Sequence, residues 1–190
     1  MRSGDEQIIF EDNFAGKLDE GWFWLRENPD KWRLASGGLE IQVEPGVADT
    51  VRNALVRPAP DRSAGTFAIE VTVTSHTVPT QQYEQAGITW YQDGKAVVKE
   101  VKELIDGEIY VFPGKKPMSH PSVRLRLVVT ANSWEAQYRL LDDDIFHLAA
   151  TGELPPPSED QVSIQCYNGP PNEVHWIRFE DFCIKAISTR

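Results

Sequence analysis

The chain has 190 residues, 41% of them hydrophobic and 25% charged, the balance of a folded globular protein rather than a disordered one. Its 19 Lys and Arg stand against 29 Asp and Glu, a formal charge of −10. Phosphate backbones and anionic lipid repel such a surface, so neither nucleic-acid nor membrane partners are expected.

The length suits one domain spanning 1–190, and no composition shift or internal repeat divides it. The opening MRSGDEQIIF lacks the apolar run of a signal peptide, and no later segment could span a bilayer as a helix, so a cytoplasmic location is expected. Cys166 and Cys183 lack metal-site spacing and sit in strand-like runs, where they read as buried free thiols.

In chain order the pattern is all-β. Gln7–Phe10 is a short strand followed by the acidic turn Glu11-Asp12-Asn13. Trp22–Glu27, Trp32–Ala35 and Leu39–Val43 follow, punctuated by Asn28-Pro29-Asp30 and Gly37-Gly38. Ala54–Arg57 precedes a proline corner. Phe67–Thr74 alternates cleanly between apolar and polar residues. Gln85–Tyr91, the dipeptide Asp93-Gly94 and Ala96–Leu104 form the strongest hairpin signal in the chain, and Asp106-Gly107 turns it again. Val123–Val129 and Trp134–Arg139 pair about Asn132-Ser133, and Val162–Cys166 and Val174–Ile187 close the chain. Short strands at this spacing indicate a sandwich or barrel.

The run FEDNFAGKLDEGWFWLRENPDKWRLASGGLEI, followed by YEQAGITWYQDGKAVVKEVKELIDG, VRLRLVV and VHWIRFEDFCI, resembles the concanavalin A-like jelly-roll domains of the DUF1349 family. It is also similar to the domain at the C-terminal end of family 43 glycoside hydrolases. The resemblance covers nearly the whole chain in the same order. It implies a jelly-roll sandwich of two antiparallel sheets, one bent into a concave groove, and a protein that binds or cleaves carbohydrate. Because one fold hosts many functions, the site has to be argued from its residues.

Residues two apart on a strand share a face, so Lys99 and Glu103 project together, with Gln85 and Tyr91 on the neighbouring strand and Ala86, Ile88 and Trp90 in the core. Arg126 is assigned to a third strand of the same groove. These side chains suit a polyhydroxylated ligand, and they would equally make a cross-strand charge ladder that keeps the sheet soluble. Strict alternation sends Glu100 and Lys102 inward, so a bulge that re-faces part of this strand is expected. Trp24 is added to the groove as a stacking platform, sharing parity with Arg26, while Trp22 and Trp32 fill the core.

Hydrolysis of glycosides generally needs two carboxylates, about 5–5.5 Å apart in retaining enzymes. Glu103, Asp106 and Glu108 differ in parity or lie in a turn, and no nucleophile motif or histidine pair with ligand spacing occurs. The expectation is therefore non-catalytic, lectin-like binding of an oligosaccharide or glycoside by Trp24, Gln85, Tyr91, Lys99, Glu103 and Arg126. A glycoside hydrolase or a protein-interaction module is the alternative. No cofactor is expected beyond a structural calcium, for which the resemblance points to the junction of first and last strands. Glu11 and Asp181 are the candidate ligands there, against the simpler reading of ordinary surface acids.

Overall fold

The computed structural model describes residues 6–188. Fifteen strands follow in order: β1 (Glu6–Asp12), β2 (Phe23–Leu25), β3 (Trp32–Ala35), β4 (Gly38–Gln42), β5 (Ala54–Pro58), β6 (Thr66–Ser75), β7 (Gln85–Gln92), β8 (Lys95–Ile105), β9 (Glu108–Phe112), β10 (Lys116–Pro117), β11 (Ser122–Val129), β12 (Ser133–Arg139), β13 (His147–Glu153), β14 (Asp160–Tyr167) and β15 (Trp176–Ile187). They form two antiparallel sheets, the expected jelly-roll sandwich. One runs β13-β12-β11-β6-β15-β4-β3, with β1 also on β15; the other runs β10-β9-β8-β7-β14-β5-β2. No helix among the described residues is long and apolar enough to cross a membrane.

The alternation read in the sequence decides which faces meet. Ile69, Val71 and Val73 of β6, Leu125 and Leu127 of β11 and Phe179 of β15 face inward from the first sheet. Ile88 and Trp90 of β7, Leu55 of β5 and Val162 and Ile164 of β14 oppose them from the second, all wholly buried in one core. Cys166 and Cys183 are buried free thiols.

Both two-residue turns come out as the hairpin rule requires. Asp93-Gly94 has φ of 51° and 75°, and Asp106-Gly107 has 52° and 83°, positive at both central positions, which matches the twist of the flanking strands. Pro29–Lys31, expected as a plain turn, makes one 3-10 turn capped by the Asn28 side chain. Strands β9, β10 and β13 are the ones not anticipated.

Candidate functional site

The β7–β8 hairpin builds the site. Its register pairs Gln85 with Glu103, Gly87 with Val101 and Thr89 with Lys99, and the five side chains of these pairs project to the outer face of the second sheet. Val97 is the extra residue of a bulge between the Trp90↔Val98 and Tyr91↔Ala96 pairs. The bulge lies before Val98 rather than at Glu100. Alternation therefore holds along the rest of β8, and Glu100 and Lys102 do point inward, opposite Ile88 and Ala86. Lys102 escapes along the sheet edge: its Nζ donates to Ser75 Oγ at 2.9 Å and to the Pro121 carbonyl, and burial pulls its pKa down to about 8.

On the outer face Lys99, Gln85 and Glu103 form one hydrogen-bonded cluster. Lys99 Nζ donates to Gln85 Oε1 at 2.6 Å and lies 3.4 Å from Glu103 Oε2. Gln85 Nε2 donates to Glu103 Oε1 at 3.2 Å and to the Tyr83 carbonyl at 2.9 Å. The ammonium also sits 4.7 Å from the centre of the Phe112 ring. Burial raises the Glu103 pKa, an effect the adjacent Lys99 ammonium opposes without cancelling. Three aromatic residues share this face. The β8–β9 register sets Tyr110 beside Glu103 and Phe112 beside Val101, and the β7–β14 register sets Tyr167 beside Gln85. Burial, then the charges of Glu103, Tyr91 and Asp49, raise the Tyr167 hydroxyl pKa, so it stays a neutral donor.

The rest of the face is roofed. The connection from β4 to β5, residues 43–53, crosses over β14 and β7. The Tyr91 hydroxyl, with its one proton, lies between the Ala48 carbonyl and Gln165 Oε1, the Ala96 amide donates to Asp49 Oδ1 at 2.9 Å, and Arg26 Nε donates to the Val51 carbonyl at 2.6 Å. Thr89, Ser163, Gln165 and Tyr91 consequently have almost no exposure. The expected groove is thus cut to the strip along β8 and β9, walled on one side by this loop, where Lys99, Tyr110 and Phe112 are half-buried and Gln85, Glu103 and Tyr167 are buried, with exposures of 6%, 4% and 4%. Tyr91 belongs to the wall's foundation, not to the open strip.

Two expected site residues lie elsewhere. Trp24 pairs with Leu55, a core residue, so it faces inward; its indole packs on Trp32 with ring centres 4.7 Å apart. Strand parity broke at Arg26, whose φ of 54° brings its guanidinium to the outer face instead. Arg126 pairs with Glu70 on β6, in the other sheet, and faces outward on the opposite side of the molecule. There it bonds Glu6 and Glu70 within a network that also holds Arg124 and Lys185. Sequence alternation gave its facing relative to its own strand but not which sheet the strand joins.

Glu11 and Asp181 do line one cavity of about 360 Å3 where β1 meets β15, together with Asp12, Asn13, Asp19 and Arg124. The donor set does not fit a calcium ion, which takes six to eight oxygens. Asp12 is already committed: its carboxylate accepts from the Phe14 and Asp19 amides at 2.7 and 2.9 Å and from Trp22 Nε1 at 2.9 Å. The Asp181 carbonyl accepts from Arg124 at 2.7 Å, so a guanidinium already supplies positive charge. Among the described residues no three His, Cys, Asp or Glu side chains come together as a metal site.

Sequence reading missed Tyr110, Phe112 and Tyr167. The signal for the first two was present, since a two-residue turn at Asp106-Gly107 fixes the pairing of Glu103 with Tyr110. Extending the Val162–Cys166 alternation by one residue would have found Tyr167.

No family model matches the chain, so the likeness to DUF1349 rests on sequence pattern alone, and no curated protein matches either. Solved structures do match. The GH43 protein BlXynB of Bacillus licheniformis is 18% identical with a TM-score of 0.71; the match covers 93% of this chain but 39% of that one, so the chain spans about two fifths of it. The CBM2 module of the evolved Dit of Lactobacillus casei BL23 phage J-1 is 10% identical with a TM-score of 0.61, covering 99% of both chains. An alginate lyase from Klebsiella pneumoniae is 12% identical with a TM-score of 0.61, covering 86% and 87%. At these identities the likeness is one of fold.

Proposed function

We propose that the chain is a single non-catalytic module that binds carbohydrate on the open strip of its second sheet. The observation that carries this is the Gln85–Lys99–Glu103 cluster, bordered on the same face by the half-buried rings of Tyr110 and Phe112. An amide, an ammonium and a carboxylate held rigidly at hydrogen-bonding distance offer donors and acceptors to adjacent sugar hydroxyls, while aromatic rings take the C–H faces. The cluster is pre-organised, so little ordering entropy is lost on binding. The sugar-active names among the structural neighbours agree with this reading. The formal charge of −10 makes polyanions such as nucleic acid poor partners.

Recognition is favoured over hydrolysis because one carboxylate, Glu103, is bonded into the cluster. Asp49, whose charge also reaches Tyr167, is occupied by the Ala96 amide. A glycan array followed by titration calorimetry on the best ligand tests the proposal. Lys99→Ala and Glu103→Ala are expected to abolish binding while leaving the melting temperature within a few degrees of wild type. Full affinity in both variants removes these residues from the site. Turnover of a glycoside that disappears in Glu103→Gln replaces binding with catalysis.

A further inference from the structure

The open strip continues past Lys99. The bulge at Val97 re-aims that side chain, which is 40% exposed, and beside it lies a cavity of about 320 Å3 at one end of the sandwich. Val97, Lys99, Phe112, Pro113, Trp134 and Glu153 line it. Lys99 and Phe112 are thus shared between cluster and cavity. Trp134 and Glu153 arrive from the opposite sheet, on β12 and β13. Gly152 pairs with Trp134, and a Cβ there would sit 2.5 Å from the indole, so the glycine lets the ring lie flat against the strand. The volume falls at the lower end of the ~300–1,000 Å3 of small-molecule sites. From Glu103 to Val97 is six residues on one strand, roughly 20 Å at 3.3 Å per residue. That is longer than a single sugar ring.

The charges along this path are uneven. The Lys99 ammonium is already paired with Glu103. Glu153 is exposed and no cation pairs with it among the described residues. Lys115, over the Tyr110 ring, is likewise paired with Asp106, so a ligand carboxylate on the path meets Glu103 and the unpaired Glu153 against two ammoniums that are both committed, an unfavourable balance.

Building on the recognition reading, we infer that the ligand is an uncharged oligosaccharide of two or more rings lying along β8, with its far ring seated between Trp134, Phe112 and Val97. The polar cluster grips one end through hydroxyls, and the cavity takes the other through apolar contact. Acidic glycans built from uronates are excluded by Glu153 and Glu103.

Calorimetry with xylo- and cello-oligosaccharides of increasing length, against oligogalacturonides of the same lengths, tests this. Affinity for the neutral series is expected to rise from one ring to several, and the acidic series to bind at least about tenfold more weakly. Trp134→Ala should erase the gain with length but leave the single-ring affinity unchanged. Because Trp134 also touches the core, the exposed variant Val97→Asp serves as a second probe and should do the same. Glu153→Lys should raise affinity for the oligogalacturonides. Affinity independent of length, tighter binding of the acidic series, or normal length dependence in both cavity variants overturns the inference while leaving recognition at the cluster intact. Failure of every saccharide to bind wild type sinks recognition itself, and this inference with it.

Discussion

Between Val98 and Lys102 strict alternation sets the Glu100 carboxyl among apolar side chains, with no exposure at all. It lies beside the Arg126 and Gln137 backbone without a well-formed hydrogen bond, so neither oxygen is satisfied. Burial pushes its pKa well above the ordinary 4.5, with those backbone groups opposing. The sign of the linkage follows: the native state holds this proton more tightly than the unfolded chain, so Glu100 favours folding below the ordinary carboxylate pKa. That advantage is lost as pH rises towards the elevated native value. Glu100→Gln keeps the shape and removes the proton. Thermal unfolding across pH is expected to show the variant gaining on wild type steadily as pH increases above 4.5. Parallel curves for the two proteins would mean that Glu100 does not titrate in the core. Glu103, three residues on, differs only in facing: its Lys99 and Gln85 partners make it a usable carboxylate.

At the scale of elements, the hairpin does most of the positioning. Its type of turn was legible in the sequence, because Asp-Gly tolerates positive φ at both positions; its register was not, because a one-residue bulge shifts every pair beyond Tyr91. The bulge was expected, but its place was not. A bulge is set by how the strand meets its partner and the opposite sheet, and the spacing of charges carries no trace of that. Gly87 shows how tightly β7 and β8 approach. A Cβ there would fall 2.2 Å from the Glu100 carbonyl oxygen and 2.8 Å from Leu125 Cδ1. Gly87→Ala is expected to cost about 1–3 kcal/mol or more in urea unfolding, because backbone rather than a flexible side chain must move. A midpoint unchanged from wild type would show that the sheet has room there.

At the scale of the whole molecule, the two sheets present different chemistry to solvent. The first carries the Glu70–Arg124–Arg126–Lys185–Glu6 network, a set of ion pairs closed on itself. The second carries the proposed site. Arg126→Ala should therefore leave saccharide affinity unchanged in the same calorimetry, and a loss of binding without unfolding would place the ligand on the wrong face. Stability should suffer more at Arg62, a buried guanidinium that ties the two halves at one end. Its Nε bonds Asp160 at 2.7 Å, and its amino groups donate to the Ala131 and Pro155 carbonyls. Arg62→Met strands Asp160 and both carbonyls, and a loss of about 3–5 kcal/mol in denaturant unfolding is expected.

The sequence by itself determined that the chain is all-β, where most strands run and turn, and that Lys99 and Glu103 share one face of their strand. Each of these follows from period-two alternation and from local backbone preferences, which neighbours in the chain impose. Only the tertiary structure decided that Arg126 and Trp24 lie apart from that face, that residues 43–53 roof half of it, and that Trp134 and Glu153 come from the other sheet to extend it. Which strand lies beside which, and what a long connection crosses, depends on contacts between residues far apart in sequence. Those contacts leave no local pattern to read.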